Sequence, residues 1–149
     1  MRTYLADRFR YCLNTSTLRG YELPLEETIR VAAKAGYGAI EPWIREIDRY
    51  VETGGSLPDL RRLIEDQGLT VEGAIGFFPW IVDDRAEREA ALGEARRNME
   101  TLRAIGGKRL AAPPMGATKT AGIDPHAAAE RFAALIDLAA QARRCHHRC

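Results

Sequence analysis

Segments that read as β-strands open near Tyr11, Ala39, Val71 and Arg109, and a helical pattern follows each of them. Two neighbouring parallel strands must be joined by a crossover of about a dozen residues or more, usually a helix, and that crossover is right-handed. Helices of this length between successive strands therefore imply a parallel sheet covered by helices. That explains why the strands are apolar runs rather than strict polar and apolar alternations.

The grammar of each unit is local. Tyr11 to Thr17 is rich in β-branched residues and bounded by Arg19-Gly20, which predicts a strand running into a loop. Pro24 suits a first helical position, Leu25, Ile29, Ala32 and Ala33 recur at helical spacing, Glu26 and Glu27 favour the positive helix start, and Gly36 closes the end. In the second unit Ala39 to Trp43 reads as a short strand, with a loop through Gly54-Gly55. Ser56 to Asp59 then resembles a capping box with Asp in place of Glu, and Leu60, Leu63 and Ile64 form the buried stripe before Gly68. The third unit places a strand over Thr70 to Phe78 and a long helix opened by Asp84 and Glu87, with Ala91, Ala95, Met99, Leu102 and Ile105 on its apolar side. The fourth runs from Arg109 to Ala112 through Pro113-Pro114, then from Asp124-Pro125 into a helix expected to bury Ala128, Phe132, Leu135, Ile136 and Ala139.

The spacings between strand starts are 28, 32 and 38 residues. A closed (β/α)₈ barrel uses about 250 residues, or about 31 per unit. Small Ala74 and Gly76 alternate with larger Ile75 and Phe77, as a narrow barrel interior tolerates, and no G-x-G-x-x-G follows the first strand. The predicted fold class is α/β of the (β/α)₈ TIM-barrel type with the first four βα units, a half barrel. It is expected to form one domain over residues 1–149, with a core at about 10–142 and an irregular tail at 143–149.

Charge and cysteine usage narrow the function. Lys and Arg total 22 against 21 Asp and Glu, and a formal charge of +1 gives no field that would hold a nucleic acid or an anionic membrane. No apolar stretch has the length of a signal peptide or a membrane span, so a cytoplasmic location is expected. Cys12, Cys145 and Cys149 form an odd set, read as reduced thiols. Cys145-His-His-Arg-Cys149 has zinc-binding side chains, but lacks the loop that separates ligand pairs in a structural site. Lys119 to Gly122 does not have the form of a phosphate-binding loop, so no nucleotide is implied.

Ligands in parallel α/β folds bind at the carboxyl ends of the strands. Glu41, at the end of an otherwise apolar strand, is the catalytic candidate, against the alternative that loop amides or Arg45 simply tie it down. Asn14, with Thr15 and Ser16, offers hydrogen bonds suited to sugar hydroxyls, although a turn would want the same residues. Phe77, Phe78 and Trp80, with Pro79, are candidates for a wall against the carbon face of a polyol, and equally for core packing. His126, in the first turn of the last helix, is a further substrate-binding candidate, unless it is an exposed residue beside an Asp cap.

Cys12 to Ser16, the run Ala35-Gly-Tyr-Gly-Ala-Ile-Glu41-Pro-Trp43 and the strand ending Gly76-Phe-Phe78 resemble the xylose-isomerase-like TIM-barrel superfamily, centred on sugar phosphate isomerases and epimerases. The resemblance covers about Arg10 to Ala142. It implies a sugar or sugar phosphate as small-molecule partner and a divalent metal, Mn²⁺, Mg²⁺ or Co²⁺, held by Glu, Asp, His and Glu on later strands. Paired carboxylates would move a proton beside the sugar carbonyl. Those later positions are absent here, so the chain is expected to bind no metal of its own, to be inactive alone and to be a truncated or frame-shifted product. Glu41 carries over as a mouth-side carboxylate, and Phe77, Phe78 and Trp80 carry over as a substrate wall. The open edges of the first and fourth strands predict pairing of two copies into a homodimer. A non-catalytic binding module is the alternative. An abasic-site endonuclease fits less well, because such an enzyme needs several His ligands and the body of the chain has only His126.

Overall fold

The computed structural model describes residues 9–118 and 122–144. The segment Cys145 to Cys149, with its candidate metal side chains, lies outside the described residues, as does Lys119. The chain divides into two compact units, residues 1–75 with 102–109 and residues 76–101 with 110–149. Each is described by itself.

The first unit holds a parallel sheet in the order β1 (Cys12–Asn14), β2 (Ala39–Glu41), β3 (Thr70–Val71). Leu13 lies opposite Ile40, and Ile40 opposite Val71. These three are buried, and they form one row on the face that also buries Ile29 and Ala32 of α1 (Leu25–Lys34), Ile47 of α2 (Ile44–Glu52) and Leu60 and Ile64 of α3 (Leu57–Asp66). Helix α1 packs on β2 and α3 on β3. The alternate row, Cys12 beside Ala39 and Asn14 beside Glu41, faces the other way.

Helix ends follow the expected chemistry. The Ser56 hydroxyl accepts the Asp59 backbone N–H at 3.2 Å, and it donates to the Asp59 carboxylate at 2.5 Å in place of a reciprocal backbone bond. At the end of α1, Gly36 stands at φ 86°, and the N–H groups of Gly36 and Tyr37 donate to Ala33 and Ala32 at 3.0 and 3.1 Å. That left-handed residue with its paired bonds is the Schellman end, which only glycine adopts without strain. The same pattern closes α3 at Gly68.

Three elements differ from the sequence expectation. The first strand stops at Asn14, and Thr15–Tyr21 forms a 3₁₀ helix, because the Asn14 side chain accepts the Ser16 N–H at 3.1 Å and so turns the backbone. Helix α2 occupies residues expected to be loop; its Ile44 and Ile47 are buried one turn apart, and the Glu46 carboxylate accepts the Trp43 N–H at 3.0 Å at its start. The third expected strand breaks at Gly73 into β3 and β4 (Ala74–Ile75). There the chain changes partner: Glu72 N–H donates to Ile40, and Ala74 N–H donates to Arg109 at 3.0 Å.

The second unit contains the greater part of α4 (Arg85–Ala104), β5 (Leu110–Ala111) and α5 (Pro125–Arg144). Phe78, Trp80 and Ile81 pack with Ala91 and Ala95 of α4 and Leu135 and Leu138 of α5. Trp80 Nε1 donates to the carbonyls of Ala112 and Pro113 at 3.0 and 3.2 Å, which satisfies its one polar atom inside the core. On α5 the expected burial of Phe132 and Ile136 is not found; they are 48% and 55% exposed. Leu135 is buried as expected, Leu138 joins it in the buried stripe, and Phe132 lies at the edge with its ring 5.6 Å from that of Trp80. Among the described residues no helix is long and apolar enough to cross a membrane.

Candidate functional site

Parallel pairing of β1 and β2 sets Asn14 directly opposite Glu41, at the carboxyl ends of both strands. The Asn14 amide donates to Glu41 Oε2 at 2.8 Å. Asn14 Oδ1 in turn accepts from Trp43 Nε1 at 3.1 Å, from the Ser16 N–H at 3.1 Å and from the Ser16 hydroxyl at 2.7 Å. This convergence fixes the amide orientation, since the nitrogen must face the carboxylate and the oxygen the three donors. Glu41 is half-buried and is held by a side-chain amide, not by Arg45. Arg45 lies over the Trp43 ring instead, 4.2 Å from its centroid.

A second carboxylate supports the first from behind. Glu46 Oε2 accepts the Trp43 N–H and the hydroxyl of buried Thr15, whose hydroxyl also lies 3.4 Å from the Glu41 carbonyl. Gly73 completes the local shape. A Cβ there would come within 2.8 Å of the Arg109 carbonyl, so a side chain would collide with that backbone while only touching Glu41 Oε1 at 3.4 Å. On the same sheet face Cys12 is exposed, and its thiol is pushed above its ordinary value, first by burial and then by the charges of Glu41 and Glu72, with Arg109 opposing them.

The sequence-derived candidates separate by unit. Asn14 and Glu41 meet in the first. In the second, Phe77 is 40% exposed, whereas Phe78 is fully enclosed and Trp80 is 7% exposed, both inside the core. His126 is exposed at the start of α5, and its backbone N–H donates to Asp124 Oδ1 at 3.1 Å. Trp43, Glu46 and Gly73 were not singled out from the sequence. The usable signals were Trp43 two residues beyond Glu41, Glu46 at the third position of an unrecognised helix, and a glycine interrupting an apolar run. Among the described residues no three His, Cys, Asp or Glu side chains converge as metal ligands.

Residues 29–145 match the xylose isomerase-like TIM barrel family, and the chain belongs to that family. No curated protein sequence matches it. Among solved structures it is similar to the IOLI protein with a bound zinc atom, at 20% identity and TM-score 0.78 over 90% of this chain and 49% of that one. It is also similar to D-psicose 3-epimerase with D-tagatose from Clostridium cellulolyticum H10, at 18% identity and TM-score 0.72 over 92% and 50% of the two chains. A third likeness is to the probable 3-DHS dehydratase AsbF from Bacillus anthracis, at 13% identity and TM-score 0.74 over 91% and 50%. These likenesses establish an α/β fold of the TIM-barrel type, and the chain spans about half the length of each of these three proteins.

The position of Glu41 relative to Cys12 gives a direct test. In a chain whose Cys145 and Cys149 are replaced by Ser, Glu41→Gln is expected to move the pH profile of Cys12 alkylation to lower pH, because it removes one of the charges that disfavour the thiolate. An unchanged profile, or a shift to higher pH, would show that the Glu41 carboxylate does not face this thiol.

Proposed function

We propose that this chain is the amino-terminal half of a metal-dependent sugar or sugar phosphate isomerase or epimerase, with Glu41 as a mouth-side carboxylate that moves a proton beside the sugar carbonyl. The observation that carries this reading is the Asn14 to Glu41 bond at the strand ends, within a family fold whose similar structures include an epimerase crystallised with a ketose. A carboxylate in that position can take a proton from the carbon next to a carbonyl, leaving the electron pair on the carbonyl oxygen, and a second acid returns a proton to the other face or carbon. Asn14 orients the acceptor oxygen. In this reading a divalent ion would take its ligands from the carboxyl-terminal half of the barrel, and the isolated chain would be inactive. The reading also pairs two copies through open strand edges, since among the described residues β1 has β2 as its one strand neighbour in its sheet.

The test follows deuterium. With Mn²⁺ and a ketohexose in D₂O, the isolated chain is expected to incorporate none beside the carbonyl above the buffer rate. Joined to a carboxyl-terminal half barrel that carries metal ligands, it is expected to do so, and Glu41→Gln should lower that rate by about 100-fold or more. Exchange catalysed by the isolated chain, or an undiminished rate in the Glu41→Gln fusion, would contradict the assignment. For the pairing, sedimentation at micromolar concentration is expected to show a dimer; a strictly monomeric species would exclude it.

A further inference from the structure

A cleft of about 900 Å³ opens in the first unit between the 3₁₀ helix after β1, the start of α1 and helix α2. Its volume is that of a small-molecule site. Its elements follow the carboxyl ends of β1 and β2, the side on which barrels of this type bind ligands. Arg19, Arg45 and Arg49 line it. Among the described residues no carboxylate stands within ion-pair distance of any of the three, whereas Arg30, Arg61 and Arg62 of the same unit each have one. Arg45 and Arg49 are four apart on α2, so their side chains share a face and repel one another unless an anion lies between or beside them. Arg45 is also held in place by the Trp43 ring beneath it. A planar guanidinium fixed by stacking presents its remaining donors in a set geometry, which suits bidentate contact with a tetrahedral oxyanion.

Three carboxylates share the lining and restrict the ligand further. Glu46 is engaged by Thr15 and the Trp43 N–H. Glu22 and Glu26 also line the cleft, and among the described residues neither forms an ion pair with an arginine, although the Glu22 backbone N–H donates to the Arg19 carbonyl at 3.2 Å. A ligand with anionic charge all along its length would meet these groups unfavourably. One whose charge is gathered at one end, with hydroxyls elsewhere, would not, and Tyr50 and Thr53 supply further hydroxyls along the wall. The geometry points to a phosphate-monoester site, with the phosphoryl group against Arg45 and Arg49 and a neutral polyol portion extending from it. This deepens the reading above by committing it to phosphorylated sugars, but the cleft rests on its own observations, and its test requires neither metal nor turnover.

The test is calorimetric titration of the full chain with inorganic phosphate, ribose 5-phosphate and ribose, with tryptophan emission followed in parallel because Arg45 covers Trp43. Saturable binding of ribose 5-phosphate with a dissociation constant on the order of 1 mM or tighter is expected, with inorganic phosphate weaker and ribose silent. The double variant Arg45→Gln/Arg49→Gln should weaken ribose 5-phosphate by at least tenfold while keeping the same thermal transition, and Arg61→Gln on α3 should change nothing. Absence of saturable phosphate-ester binding, equal binding of ribose, or an equal loss in Arg61→Gln would each overturn the assignment. Because deuterium exchange is not measured here, failure of proton transfer in the fused barrel leaves this result standing, and the reverse also holds.

Discussion

The register of β1 against β2 governs both the packing and the chemistry of the first unit. With Leu13 opposite Ile40, the apolar row is committed to the helix side and Asn14 must face Glu41 on the other. Side chains along a strand alternate with a period of two, so a slip of one residue would turn Ile40, which is fully buried, to the polar face and drive Glu41 into the helix layer. Burial of aliphatic side chains is worth roughly 1.5–3 kcal/mol each. The hydrophobic row therefore holds the polar pair in register far more firmly than one hydrogen bond of about 1 kcal/mol could hold itself.

The hydrogen bonds around Glu41 then add rigidity of a kind packing cannot give. Asn14 reaches the carboxylate and three donors at once, Trp43 links that amide to α2, and Glu46 ties the start of α2 back to Thr15. The same tryptophan carries Arg45 on its face, so the carboxylate at the strand ends and this arginine of the cleft share one structural support. Gly73 lets the chain pass close to the Arg109 carbonyl beside Glu41.

Strong periodic signals made most of the fold legible in the sequence. The Leu25, Ile29, Ala32 stripe and the Gly36 stop define α1, Ser56 marks α3, and Asp84 caps α4, where its carboxylate accepts the Glu87 N–H at 2.7 Å. What remained hidden was short or decided by distant partners. The nine residues of α2 bury Ile44 and Ile47 alone, too brief a stripe beside a strand end rich in candidate chemistry. The turn at Asn14 depends on a side chain competing with the ladder for the backbone. Phe132 and Ile136 fit a helical period as well as Leu135 and Leu138, and only the placement of the neighbouring core chooses between them. For the site, Glu41 was visible as a charge at an apolar strand end, whereas its partner across the sheet depends on a register that one sequence does not display.

The central claim is that Asn14 and Glu41 act as one coupled unit at the carboxyl ends of adjacent parallel strands. A double-mutant cycle on Asn14→Ala and Glu41→Gln, read by urea unfolding, measures that coupling directly. Pairs that share a hydrogen-bond network differ from additivity by about 0.5–3 kcal/mol, and a value in that range is predicted. Additivity within about 0.3 kcal/mol would mean that the two side chains do not meet, and the assignment of the site would fall with it.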